Sequence, residues 1–237
     1  MRKFPFVSFG PRCLGALVIA LLLIAAGWAI THHPTPHTAQ VSVATKRDAS
    51  PSPTGPPWVY GRADARFTVI EYADLECPYC RAYFPVLKGW IDAHPEVNWQ
   101  WQHLPLAMHE PAATADARLA ECAGETAGNA AFWQAVTWIY GHTRGDGQGL
   151  SQDTSYSDLT PGMQHCLASN RPDATIRDQS AEALRNHISG TPTLRLKDHH
   201  SGKTIVLSGP VEGDVLLSAM DWLASHPEEE PPAPAHP

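Results

Sequence analysis

The chain has 237 residues and a formal net charge of −7, with no dense run of Lys or Arg. A surface that binds a polymer of phosphates needs a basic face to neutralise them, so nucleic acid is excluded as a partner. What remains after the two polar ends are set aside is one domain of about 170 residues, enough to bury a sizeable core.

Arg2, Lys3 and Arg12 precede an uncharged apolar run from Cys13 to Ile30, 18 residues long. A basic flank ahead of such a run is the grammar of an export signal. As a helix it reaches about 27 Å, close to the roughly 30 Å hydrocarbon core of a bilayer. Residues 1–30 therefore read as a signal peptide or a membrane anchor. The anchor is preferred, because Trp28 and Ile30 spoil the small-residue cleavage pattern that Gly27 and Ala29 begin. The basic residues stay on the near side, which sends the rest of the chain outward. Cys13 reads as an inert membrane cysteine.

Residues 31–57 and 226–237 are rich in Pro, Ser, Thr, Ala or Glu with few bulky apolar side chains, and they read as a flexible linker and a disordered tail. His32, His33 and His37, and the pair His199 and His200, are read as solvated rather than metal-binding. Export matters because it permits disulfides. Four cysteines lie beyond the apolar run, Cys77, Cys80, Cys122 and Cys166, the even number that two pairs require.

RFTVIEYADL (66–75) is a short run of β-branched and aromatic residues and predicts a buried strand. RAYFPVLKGWIDAH (81–94) places Tyr83, Leu87, Trp90 and Ile91 at helical spacing, with Pro85 expected to kink the helix. VNWQWQHLPL (97–106) alternates Val97, Trp99 and Trp101 with polar residues and predicts a second strand. From about 111 to 189 the pattern turns helical, broken by a Gly/Asp/Ser loop after NAAFWQAVTWIYGH and by no strand. TPTLRLKD and KTIVLSG then predict a hairpin, and VEGDVLLSAMDWLASH a last helix with Val215, Leu216, Ala219, Trp222 and Leu223 on one stripe.

Between the first strand and the first helix stands ECPYCR (76–81). A cysteine at a helix start lies near unpaired backbone N–H groups and the positive end of the helix dipole, both of which favour the thiolate. That makes Cys77 the nucleophile. Pro78 suits a first-turn position, where its missing N–H has no helical partner. Cys80, one turn on, faces the same side and can resolve a mixed disulfide formed at Cys77. Structural zinc wants four ligands, and no second Cys-x-x-Cys or His-x-x-x-His follows. A permanent staple across two residues would constrain little of the unfolded chain.

VYGRADARFTVIEYADLECPYCRAY (59–83), HLPL (103–106), ARLAECAGETAGNAAFWQAVTWIY (117–140) and SGTPTLRL (189–196) together resemble the DsbA-like thiol-disulfide oxidoreductases. The helical block and the exported start argue against glutaredoxins, which also use CPYC. The resemblance spans 58–225 and implies an α/β thioredoxin-like fold with an inserted α-helical domain over about 109–189, here preceded by the N-terminal signal or transmembrane segment. It implies that Thr191 and Pro192 form a cis-proline loop that offers backbone groups to a substrate peptide. Glu71 matches a partly buried acidic position able to relay a proton from Cys80, the alternative being a solvated strand carboxylate. Cys122 and Cys166 match a second, structural disulfide of some relatives, the alternative being two separate buried thiols. Such a bridge would close 44 positions, worth roughly 4 kcal/mol in the loop-entropy model.

The expected activity is disulfide exchange with exported, cysteine-containing proteins in the periplasm or cell envelope, most simply as an oxidase served by a membrane redox partner. No cofactor and no resident metal is expected. Two other readings stand beside it: a reductase or isomerase kept reduced by a membrane donor, and a copper-handling thiol protein, since Cu(I) favours thiolates. The dipeptide between the cysteines is Pro-Tyr, where the strongest oxidants of the family carry Pro-His, so the direction of exchange stays open.

Overall fold

The structure, a computed structural model, describes residues 55–225. The expected anchor over 13–30, the linker up to residue 54 and the tail from 226 lie outside the described residues. Among the described residues no helix is long and apolar enough to cross a membrane.

Five strands form one sheet: β1 (Val59–Tyr60), β2 (Phe67–Ala73), β3 (Val97–His103), β4 (Thr193–Asp198) and β5 (Thr204–Ser208), in the spatial order β1-β3-β2-β4-β5. Every residue of β2 except Ile70 is buried, as expected of a central strand covered on both faces. It pairs parallel with β3 and antiparallel with β4, so Glu71 lies opposite Trp101 on one side and Leu194 on the other. The parallel pair needs a crossover, and α1 (Pro78–Ala93) supplies it, running as one helix through Pro85. Its buried face is Cys80, Tyr83, Phe84, Leu87 and Ile91. Phe84 joins the expected stripe there, and Trp90 sits at its margin, partly buried.

Between β3 and β4 come a single 3-10 turn (Ala107–His109) and four helices, α2 (Ala112–Ala127), α3 (Asn129–His142), α4 (Pro161–Leu167) and α5 (Arg171–Arg185). Cys122 of α2 and Cys166 of α4 are joined in a disulfide with Cα atoms 5.6 Å apart, both side chains fully buried. Aromatic packing ties this block to the sheet: Trp58 stacks on Phe132 at 5.3 Å, and Trp99 meets Trp133 at 4.6 Å. Trp58 also donates its indole N–H to the buried Glu121 at 3.0 Å. Gly124 makes that approach feasible, because a Cβ there would come within 2.5 Å of the Trp58 ring.

Two features depart from the sequence reading. β1 was not foreseen; two residues are too short for any periodicity to show. It lies at the sheet edge, where the Asn129 side chain accepts from the Val59 N–H at 3.0 Å and donates to the Val59 carbonyl at 2.8 Å. In the last helix, α6 (Gly213–Ser225), the buried residues are Leu216, Ala219, Met220 and Leu223, while Val215 and Trp222 are 44% and 47% exposed. The core-facing stripe follows i, i+3, i+4, i+7 from Leu216, and a residue one position before it turns to the flank.

Candidate active site

The chain leaves β2 at Ala73, turns through Asp74–Glu76 and enters α1 with Cys77 as its N-cap and Pro78 in the first turn. The turn is closed by the Cys77 N–H donating to the Asp74 carbonyl at 3.1 Å. Both active-site thiols are unbridged and buried. Cys77 Sγ lies 3.5 Å from the carbonyl oxygen of Thr191, across a cis Thr191–Pro192 bond. Cys77, Cys80, Thr191 and Pro192, more than a hundred positions apart in part, are thus brought to one place.

The two thiols are driven apart in acidity. Cys77 is lowered to about 6, chiefly by a hydrogen bond from the Cys80 thiol; burial opposes this, and Thr191 and the backbone N–H groups of Cys80 and Tyr79 reinforce it. Cys80 is raised well above the ordinary thiol value by burial, then by its bond to Cys77 and by the charges of Glu71 and Cys77. At neutral pH Cys77 therefore favours the thiolate while Cys80 holds its proton.

Glu71 is 1% exposed, more deeply buried than the sequence suggested. Burial pushes its carboxyl up to about 8; the Trp99 indole pulls the other way, and negative charge on Cys77 adds to the rise. Neither Glu71 Oε2 nor Trp99 Nε1 completes a hydrogen bond. A protonated acid therefore lies behind the cysteines on the strand that leads to them.

The sequence reading missed a set of buried polar groups beneath the turn. The Asp74 carboxylate accepts from the N–H of Glu76 and of Leu106, each at 2.8 Å, and pairs with His109 Nδ1 at 2.7 Å. Glu76 and Asp116 are buried beside it. Two acidic residues flanking Leu75 directly before a redox cysteine were a signal, but one that does not reveal burial.

Outside the cysteines, Tyr79 is 68% exposed, and a groove of about 370 Å³ runs along Asn186–Thr193 and the end of β5. It includes Pro192, which a second hollow does not. The other, about 720 Å³, is walled by Tyr60, Lys88, Trp133 and Trp138 and includes neither cysteine. Among the described residues no three His, Cys, Asp or Glu side chains are grouped to hold a metal ion.

The sequence model of the thioredoxin family matches residues 53–208. Among solved structures, DsbA2 of Pseudomonas aeruginosa is 43% identical and superimposes with a TM-score of 0.69 over 73% of this chain and 97% of that one. Oxidised BdbD of Bacillus subtilis, 16% identical with a TM-score of 0.54 over 71% of this chain and 93% of that one, shares the fold. Among curated relatives, the Na(+)/H(+) antiporter NhaA 1 of Salinispora arenicola is 31% identical over 153 residues, 62% of this chain and 23% of the antiporter. The chain thus spans about a quarter of that relative's length.

Proposed function

Because the chain belongs to the DsbA-like thiol-disulfide oxidoreductases, proteins of thioredoxin fold, we propose that it exchanges disulfides with exported proteins through Cys77 and Cys80, acting as an oxidase in the periplasm or cell envelope. The observation that carries this reading is the opposed acidity of the two thiols, a thiolate at the helix start and a protonated partner one turn behind it.

In the oxidised enzyme Cys77 and Cys80 share a disulfide. A substrate thiolate attacks Cys77 Sγ, a mixed disulfide forms, and the bond to Cys80 breaks with its electron pair going to Cys80 Sγ. Cys80 takes up a proton, which its burial strongly favours, and Glu71 is the acid placed to supply it. A second substrate thiolate then attacks the substrate's own sulfur in the mixed disulfide. Cys77 leaves as a thiolate, and its low proton affinity makes it a good leaving group. Two electrons have passed from substrate to enzyme. The loop at Thr191 and Pro192 holds the substrate backbone beside Cys77 during both steps. A membrane redox partner, approached through an anchor at residues 13–30, removes the electrons and restores the disulfide.

Rapid acid quenching of cells, followed by alkylation with a mass tag, scores the steady-state form of the Cys77–Cys80 pair. A mostly oxidised pair is the expected result. A mostly reduced pair would reassign the protein as a reductase or isomerase kept reduced by a membrane donor. Cys80→Ser, which has no internal disulfide, is expected to accumulate mixed disulfides when offered disulfide-bonded proteins, because no Cys80 thiol returns to displace them; their absence would remove Cys80 as the partner of Cys77.

A further inference from the structure

The residue immediately before Cys77 is occupied with something other than sulfur chemistry. Glu76 is fully buried, and both of its carboxylate oxygens point to one loop, residues 143–150, which follows α3. Oε1 accepts from the Thr143 hydroxyl, and Oε2 accepts from the Gly149 N–H at 2.8 Å. The Glu76 carbonyl accepts from the Asp146 N–H at 2.8 Å. The same loop reaches α1 a second time, where Arg81 donates to the Thr143 carbonyl at 2.9 Å. Its tip packs on the 3-10 turn so closely that a Cβ on Gly147 would lie 3.0 Å from His109 Cα.

Asp116 of α2 is 4% exposed, and its Oδ2 has no hydrogen-bond partner. Its carboxyl adjoins that of Glu76, which helps to raise its pKa. The other charged groups nearby are Asp74, which faces the pair, and His109, whose ring is taken up by Asp74. Tyr140 donates to the Asp74 carbonyl, and Arg144 donates to the carbonyls of Gln148 and Gly149. Among the described residues no Lys, Arg or His pairs with Glu76 or Asp116. Two carboxyl groups in contact without a cation cannot both be ionised cheaply.

We propose that Asp116 and Glu76 share one proton, and that this proton keeps the 143–150 loop seated against the entry to the active-site helix, which makes Asp116 a positioning residue for exchange at Cys77. With Asp116 protonated, its O–H donates to Glu76, and Glu76 carries one charge, held by Thr143 and Gly149. With the proton gone, the added charge beside Glu76 and Asp74 is relieved when Glu76 swings toward water, and both side-chain bonds to the loop are lost with it. The inference rests on Cys77 being the exchanging sulfur.

Burial, then the bond to Glu76, then the charges of Glu76 and Asp74 push Asp116 up from 3.8 to about 8. The seated state therefore binds the proton more tightly than the released one. Burial of Asp116 persists when the loop is released, so only the share of the rise owed to Glu76 couples to seating, which weakens as pH climbs toward about 8 and levels off above it.

The test is amide hydrogen exchange at Asp146 and Gly149 in the reduced full chain, corrected for intrinsic exchange, from about pH 5 to 9. Wild-type protection should fall as pH rises toward about 8 and then flatten. Asp116→Asn, whose amide donates to Glu76 at every pH, should stay protected throughout. Glu71→Gln should keep the wild-type slope, because Glu71 titrates in the same range but does not touch the loop. In parallel, the alkylation rate of Cys77 per thiolate should rise with loop release in the wild type and stay constant in Asp116→Asn. Flat wild-type protection, an unchanged slope in Asp116→Asn, a slope lost in Glu71→Gln, or alkylation indifferent to the loop would each overturn the proposal. Absence of exchange turnover at Cys77 would instead overturn the proposed function and leave the amide result standing.

Discussion

The described residues hold two pairs of cysteines, and the two settings are opposite in kind. Cys77 caps the start of α1, next to backbone N–H groups and the Thr191 carbonyl, and Cys80 lies one turn in. Cys122 sits in the middle of α2 and Cys166 in the last turn of α4, both fully buried. At a helix start the backbone stabilises a thiolate; near a helix end it opposes one. Loop length separates them as well: a bridge across 44 positions constrains much of the unfolded chain, whereas one across three constrains almost none. Position on the helix therefore suits one pair to act as a reagent and the other as a brace.

The sharpest way to break this contrast is to disable each pair in turn. Cys77→Ser should abolish disulfide exchange with a reduced protein substrate, while Cys122→Ala with Cys166→Ala should leave the rate per folded molecule within about twofold; wild-type turnover in Cys77→Ser would sink the assignment. The same double variant should lose stability, roughly 4 kcal/mol in the loop-entropy model, read as a lower midpoint in denaturant. Gly124→Ala, two positions from Cys122, forces a methyl into the Trp58 ring and should cost about 1–3 kcal/mol without altering the acidity of Cys77.

A further test is the pH dependence of stability. Glu71 is raised from 4.5 to about 8 on folding, so the folded chain binds its proton more tightly than the unfolded chain does. Its contribution is complete below the lower value and is lost as pH climbs to the higher one. Glu71→Gln should therefore show a shallower decline in denaturant midpoint between about pH 5 and 8. An identical decline would mean that Glu71 is not protonated behind the cysteines.

Much of this arrangement is legible in the sequence because it is local. The run TVIEY declares a buried strand, ECPYCR declares a helix start, and β4 and β5 are set off by HHSG. What is not legible depends on distant chain meeting. Glu76 bonds to Thr143 and Gly149, 67 and 73 positions away, and nothing in DLEC states that its acids are dry. Glu71 gave its position but not its depth, since strand alternation does not distinguish a face turned to water from one covered by α1. Trp222 looked like core because it lies one position from Leu223, and a helix turns about 100° over that step.

The paired bonds between Asn129 and Val59 bear on how many of these molecules can share a crowded space. An outermost strand with bare N–H and C=O groups is a template on which another polypeptide can lay its own strand and start an aggregate. Here a single carboxamide imitates the missing neighbour, giving and taking one hydrogen bond as a backbone would. That stretch of the margin is already closed at Val59.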